Sequence, residues 1–111
     1  MNNISETPEK WVIVKIDNKG YKVFGSWVGG YLGSDRWKLN SGIKSVELKD
    51  DFYYITGYSG SIYKCHKNSY GIASSYSRAV LSSLIDKAKI SGINIEEITK
   101  EDFKKIEWII I

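Results

Sequence analysis

Up to about residue 70 the apolar residues come in short runs and alternations, broken by turn residues. Trp11-Val12-Ile13-Val14-Lys15-Ile16 reads as a buried strand. Asp17-Asn18-Lys19-Gly20 reads as a turn that sends the chain back through Tyr21-Lys22-Val23-Phe24, so the pair predicts a hairpin. Further short strands are predicted at Arg36-Trp37-Lys38-Leu39-Asn40, over Ile43–Leu48, at Phe52-Tyr53-Tyr54-Ile55-Thr56 and over Ile62–His66. Ser41-Gly42, Lys49-Asp50-Asp51 and Gly57–Ser61 separate them as turns. About six strands with connections this short make an antiparallel meander the simplest topology.

After Tyr70-Gly71 the period lengthens. Val80, Leu81, Leu84, Ile85 and Ala88 fall on one helical stripe, with Ser74, Ser75 and Ser77 as candidate N-caps and Gly92 as a natural stop. A second helix is predicted to begin at Thr99, where Thr99-Lys100-Glu101-Asp102 resembles a capping box with Asp in place of Glu. It runs through Phe103 and Ile106. The tail Trp108-Ile109-Ile110-Ile111 is too apolar to be left in water and should pack as a strand or beneath a partner. The fold class is therefore α+β: an N-terminal antiparallel sheet over 11–70 and two helices over 73–107, closing on a short apolar tail. Residues 1–10 read as a polar extension, and 11–111 as a single domain.

A chain of 111 residues suits one domain with one core. Aromatic residues stand out, at 4 Trp, 8 Tyr and 3 Phe. They favour strands and also anchor binding surfaces, so the count fits either use. Cys65 is the one cysteine and can form no intramolecular disulfide. Met1–Lys10 lacks the apolar stretch of a signal peptide, and no run approaches the roughly 20 apolar residues of a membrane helix. A cytoplasmic, reducing environment is the expectation.

The net charge of +3 is mild. All of the excess lies before residue 72, where 10 basic groups face 7 acidic ones, against 6 of each afterwards. A dedicated nucleic-acid domain carries a stronger basic footprint, whereas a small anionic ligand needs no more than this. Fourteen of the cations are Lys, and only Arg36 and Arg78 are Arg. A planar guanidinium grips a phosphate bidentately in a way that Lys cannot, although both Arg also fit surface ion pairs.

Catalytic groups are scarce. Cys65 and His66 are the sole Cys and His and are adjacent. Neighbours on a strand point to opposite faces, which argues against a Cys–His dyad. The carboxylate pairs Asp50-Asp51, Glu96-Glu97 and Glu101-Asp102 fall in turns or at helix starts, where solvation and the helix dipole account for them. Neither a Walker loop, nor a dinucleotide fingerprint, nor a nucleophile elbow is present. No cofactor or metal is expected.

Binding chemistry is better represented. The segment Gly25–Asn40 has four Gly in its first nine positions, followed by Arg36 and Trp37. Gly57-Tyr58-Ser59-Gly60-Ser61-Ile62-Tyr63-Lys64 repeats the mixture of Gly, hydroxyl, aromatic and cation. Gly lets backbone N–H groups converge on an anion, hydroxyls add hydrogen bonds, aromatic faces stack on a base, and Arg or Lys neutralises phosphate. A twisted sheet with Gly at its bulges and aromatics in its core has the same composition. Arg78 lies at the start of the first helix, where a cation opposes the dipole and a bound anion would relieve it.

The run Gly29-Gly30-Tyr31 and Arg36-Trp37-Lys38-Leu39-Asn40-Ser41-Gly42-Ile43, with Gly57–Cys65 after it, resembles small phage-encoded proteins of clostridial viruses. Among these it most resembles the Thoeris anti-defence sponges, over about residues 11–90. The resemblance implies an antiparallel sheet followed by helices, and a homodimer or higher homo-oligomer. It also implies sequestration of cyclic ADP-ribose isomers, without cleavage, in the cytoplasm of an infected bacterial host.

Together these features make the expected function non-catalytic capture of a small phosphorylated nucleotide, a cyclic ADP-ribose isomer or a cyclic oligonucleotide. Arg36 and Arg78 would hold phosphates, Trp27, Trp37 or Tyr58 would stack the base, and Ser59 and Ser61 would supply hydrogen bonds. Two alternatives use the same aromatics: an anti-CRISPR-like inhibitor that binds a host defence protein directly, and a single-stranded nucleic-acid module with an aromatic stacking platform.

Overall fold

The computed structural model describes residues 3–29 and 33–108. The Gly30–Leu32 part of the Gly-rich segment and the Ile109–Ile111 end of the apolar tail lie outside the described residues. The fold is α+β, as the pattern predicts.

Three strands come first: β1 (Lys10–Ile16), β2 (Gly20–Trp27) and β3 (Arg36–Leu39). They form a meander, with Ile13 opposite Val23 and Phe24 opposite Leu39. A second meander follows, of β4 (Ile43–Lys49), β5 (Phe52–Gly57) and β6 (Ile62–His66). The six N-terminal strands therefore divide between two antiparallel sheets. Helix α1 (Ser75–Ile90) comes next, then a short strand β7 (Ile95–Glu97) and helix α2 (Lys100–Lys105). β7 pairs with β1, giving the first sheet the order β3-β2-β1-β7.

The four-stranded sheet is buried on both faces, which is why β1 is continuously apolar rather than alternating. Val12, Val14 and Phe24 face α1 and meet Leu81, with Val80, Leu84 and Ile85 beside it. Trp11, Ile13 and Val23 face the other way, onto Val46, Ile55, Tyr63 and Cys65 of the second sheet and Phe103 of α2. Three layers result, helix on sheet on sheet. Trp11 is fully buried at the centre. Tyr53, Tyr70 and Phe103 each present an edge to its ring at 4.9–5.7 Å, the arrangement aromatic quadrupoles prefer. Its indole N–H donates to the His66 carbonyl at 2.8 Å.

The helix ends follow the sequence signals. Ser74 caps α1 by accepting from the Ser77 N–H, and Thr99 caps α2 by accepting from the Asp102 N–H. At the far end of α1, Gly92 takes φ +80°. This lets the Gly92 N–H reach the Lys89 carbonyl and the Ile93 N–H reach the Ala88 carbonyl, a Schellman closure that a Cβ would strain. Trp108, the described end of the apolar tail, packs its ring against Tyr21 and Phe103.

Residues 4–9 are more than a polar extension. Ser5 and Glu6 run parallel to β6: the Ser5 N–H donates to the Ile62 carbonyl and the Lys64 N–H to the Glu6 carbonyl, both at 2.9 Å. Three residues later the Glu9 N–H reaches the Ser26 carbonyl of β2 at 3.1 Å. The segment is a strap that joins the edge strand of the second sheet to β2 of the first. Pro8 lies on Gly25, where an added Cβ would stand only 2.9 Å from the proline ring, so glycine is what admits the strap there.

No described helix is long and apolar enough to cross a membrane.

Candidate functional site

Strand β3 sits at the rim of the first sheet and alternates. Arg36 and Lys38 point to the face shared with the second sheet, and Trp37 and Leu39 to the face toward α1. The strap crosses in front of Arg36 and Lys38. Below them, the β3–β4 connection and the β5–β6 turn bring up three hydroxyls. The Ser41 Oγ accepts from the Ser59 N–H at 3.0 Å, and the Ser41, Ser59 and Ser61 oxygens stand in a chain with spacings of 3.2 and 3.3 Å. Between these elements opens a cleft of about 490 Å³, whose walls include Glu6, Lys38, Ser41, Ser59, Ser61 and Tyr63.

The cations of the cleft are engaged with a strap carboxylate. The Lys38 ammonium is 2.6 Å from one Glu6 oxygen and an Arg36 nitrogen is 3.9 Å from the other. Both cations are more than half exposed in their side chains, whereas Glu6 is only 16% exposed. Burial, with Glu6 and Cys65 adding, raises the Tyr63 phenol above its usual pKa, so it stays protonated in the cleft wall.

The residues singled out in the sequence separate into groups. Trp27 and Arg36 oppose each other across β2 and β3, and the guanidinium carbon lies 4.0 Å from the centre of the indole. The Trp27 N–H donates to the Thr7 carbonyl of the strap at 3.1 Å. Trp37 lines the cleft, but its ring stacks on Phe24 with centroids 5.7 Å apart, in the layer toward α1. Ser59 and Ser61 line the cleft directly, and Tyr58, 71% exposed, projects from the same turn. Arg78 lies elsewhere. It grips Glu97 of β7 through two nitrogens at 2.5 and 3.3 Å, on the strand at the opposite edge of the sheet from β3. The anion that relieves its place at the helix start is this carboxylate, which also raises the Arg78 pKa.

Sequence reasoning missed Glu6, Lys38 and Ser41 as site residues. Lys38 carried a readable signal: it sits two positions from Arg36 on a strand and so shares its face. Ser41 was read only as a turn residue. Glu6 carried none, because a polar stretch before the first strand says nothing about which rim it crosses.

Cys65 is fully buried toward the core, and burial pushes its thiol pKa up. His66 faces the other way, with its Nδ1 accepting from the Asn68 N–H at 3.1 Å and its ring against the edge of Phe52. Among the described residues no three of His, Cys, Asp and Glu come together as a metal cluster. Comparison with protein-family models, curated proteins and solved structures finds no match for this chain.

Proposed function

We propose that the chain binds a small phosphorylated nucleotide of the cyclic ADP-ribose or cyclic oligonucleotide type and retains it without turnover. The observation that carries this reading is the convergence, around one cleft, of Lys38 and the Ser41, Ser59 and Ser61 hydroxyls, with Arg36 beside it, 3.9 Å from the Glu6 carboxylate in the cleft wall. Two cations neutralise a phosphate, and hydroxyls complete its hydrogen bonds. Tyr58, on the same turn as Ser59 and Ser61, offers an exposed face for a base. A volume of about 490 Å³ is within the range of small-molecule sites. The groups around the cleft hold and orient; none is an activated nucleophile. In a phage-encoded protein such retention would withdraw a defence signal from the infected host.

Isothermal titration with cyclic ADP-ribose isomers and cyclic oligonucleotides tests the proposal, followed by denaturation and mass spectrometry of what is released. Saturable binding with release of the intact nucleotide is expected, together with weakened binding by Lys38→Ala and Ser59→Ala. Absence of heat with every member of both ligand sets would overturn the reading.

A further inference from the structure

The cations of the cleft already hold an anion supplied by the chain itself. We infer that Glu6 is an intramolecular stand-in for the ligand's phosphate: its carboxylate occupies the anion position between Lys38 and Arg36, and a phosphoryl group enters by displacing it. The inference rests on the cleft being the nucleotide site and names how that site is gated.

Three features point to exchange rather than to a plain surface ion pair. The first is position. Glu6 is the least exposed of the trio, at 16% against 51% for Lys38 and 56% for Arg36. The acid is set into the cleft and the cations close over it from the rim. The second is charge. One carboxylate between two cations leaves an excess of +1, which a phosphoryl dianion in its place would neutralise. The same dianion bound beside a retained Glu6 would meet like-charge repulsion at short range, so the two anions exclude each other.

The third feature is the independence of the strap from the carboxylate. Its backbone is held by the bonds from Ser5 to the Ile62 carbonyl and from Lys64 to the Glu6 carbonyl, and by the Ser5 hydroxyl accepting from the Ile62 N–H at 3.0 Å. Pro8 lies on Gly25 further along. None of these contacts uses the Glu6 side chain. The carboxylate can therefore swing out by rotation of its own χ angles while the strap stays in place. The cleft then offers two cations and a chain of three hydroxyls, a better match to the oxygens of a phosphoryl group than to the two of a carboxylate.

Inorganic phosphate is the probe, titrated at constant ionic strength into wild type, Glu6→Gln and Glu6→Ala. Binding is followed by the amide resonances of Lys38, Ser59 and Ser61. Removing a competing charge-assisted contact should tighten phosphate about tenfold in both variants, and their undisturbed spectra elsewhere would show that the fold is kept. Lys38→Ala should weaken phosphate in the Glu6→Gln background. Equal affinity in wild type and both variants would overturn the stand-in role and leave the binding reading intact. Lower thermal stability of the Glu6 variants with no gain in affinity would make Glu6 a tether and overturn the inference in the same way. Absence of phosphate-dependent shifts at the cleft in any of the three proteins would remove both.

Discussion

Arg36 places its guanidinium carbon 4.0 Å from the centre of the Trp27 ring, directly across the β2–β3 ladder. The cation is thus held over the indole and beside the cleft rather than left to sweep through solvent. A cation–π contact at an exposed site is worth about 0.5–1 kcal/mol. Arg36→Ala should therefore lower the urea midpoint only slightly, yet weaken nucleotide binding about tenfold by removing a charge-assisted contact. Arg36→Lys keeps the charge but not the planar stack, so its affinity should fall between the two. Chemical denaturation and titration on the same three proteins check this.

The Tyr70 hydroxyl ties the core together. It accepts from the Ile13 N–H at 2.9 Å and donates to the Ile98 carbonyl at 2.8 Å. Tyr70→Phe leaves both backbone groups short of a partner and should cost about 1–3 kcal/mol. Burial raises the phenol pKa from 10.0 to about 12. The folded protein thus keeps this proton to a higher pH than the unfolded chain does. The associated stability is complete below pH 10 and is lost as the pH climbs through about 12. Urea unfolding between pH 9 and pH 12 should show wild type losing stability on this limb and Tyr70→Phe losing less of it.

Helix α2 has six residues and holds one deep anchor, Phe103, at 1% exposure. Its ring touches Trp11, Tyr53, Tyr70 and Trp108. Phe103→Ala should cost about 3–5 kcal/mol through the cavity it leaves. Thr99→Ala, which removes only the cap, should cost about 1 kcal/mol. Denaturation followed by tryptophan fluorescence reads both, since Trp11 lies against the emptied site.

The hairpins, the caps at Ser74 and Thr99 and the stop at Gly92 were legible because each is set by a few neighbouring residues. β7 was not, because Ile95-Glu96-Glu97 is too short to show a period and exists by pairing with β1. The division into two sheets was equally hidden: Val12 and Ile13 are both apolar, and nothing local says that one meets a helix and the other a second sheet. Of the residues in or beside the candidate cleft, Ser59, Ser61 and Arg36 had been singled out by residue chemistry. Arg78 looked equivalent from its local sequence, yet its partner Glu97 stands 19 positions away and comes near only through the fold. The side to which Trp37 turns is likewise decided by Phe24 and by its place on β3, not by its neighbours in sequence.

The strap also bears on the order in which the molecule can be assembled. Ser5 and Ile62 stand 57 positions apart in sequence, yet they share a hydrogen bond. During vectorial synthesis residues 4–9 therefore emerge long before the strand that fixes them. The first meander can pair early, but its rim stays unsealed until β6 has left the ribosome. Such long-range closure slows the search for the native state, and the cleft with its paired charges comes into being only when β6 docks on the strap.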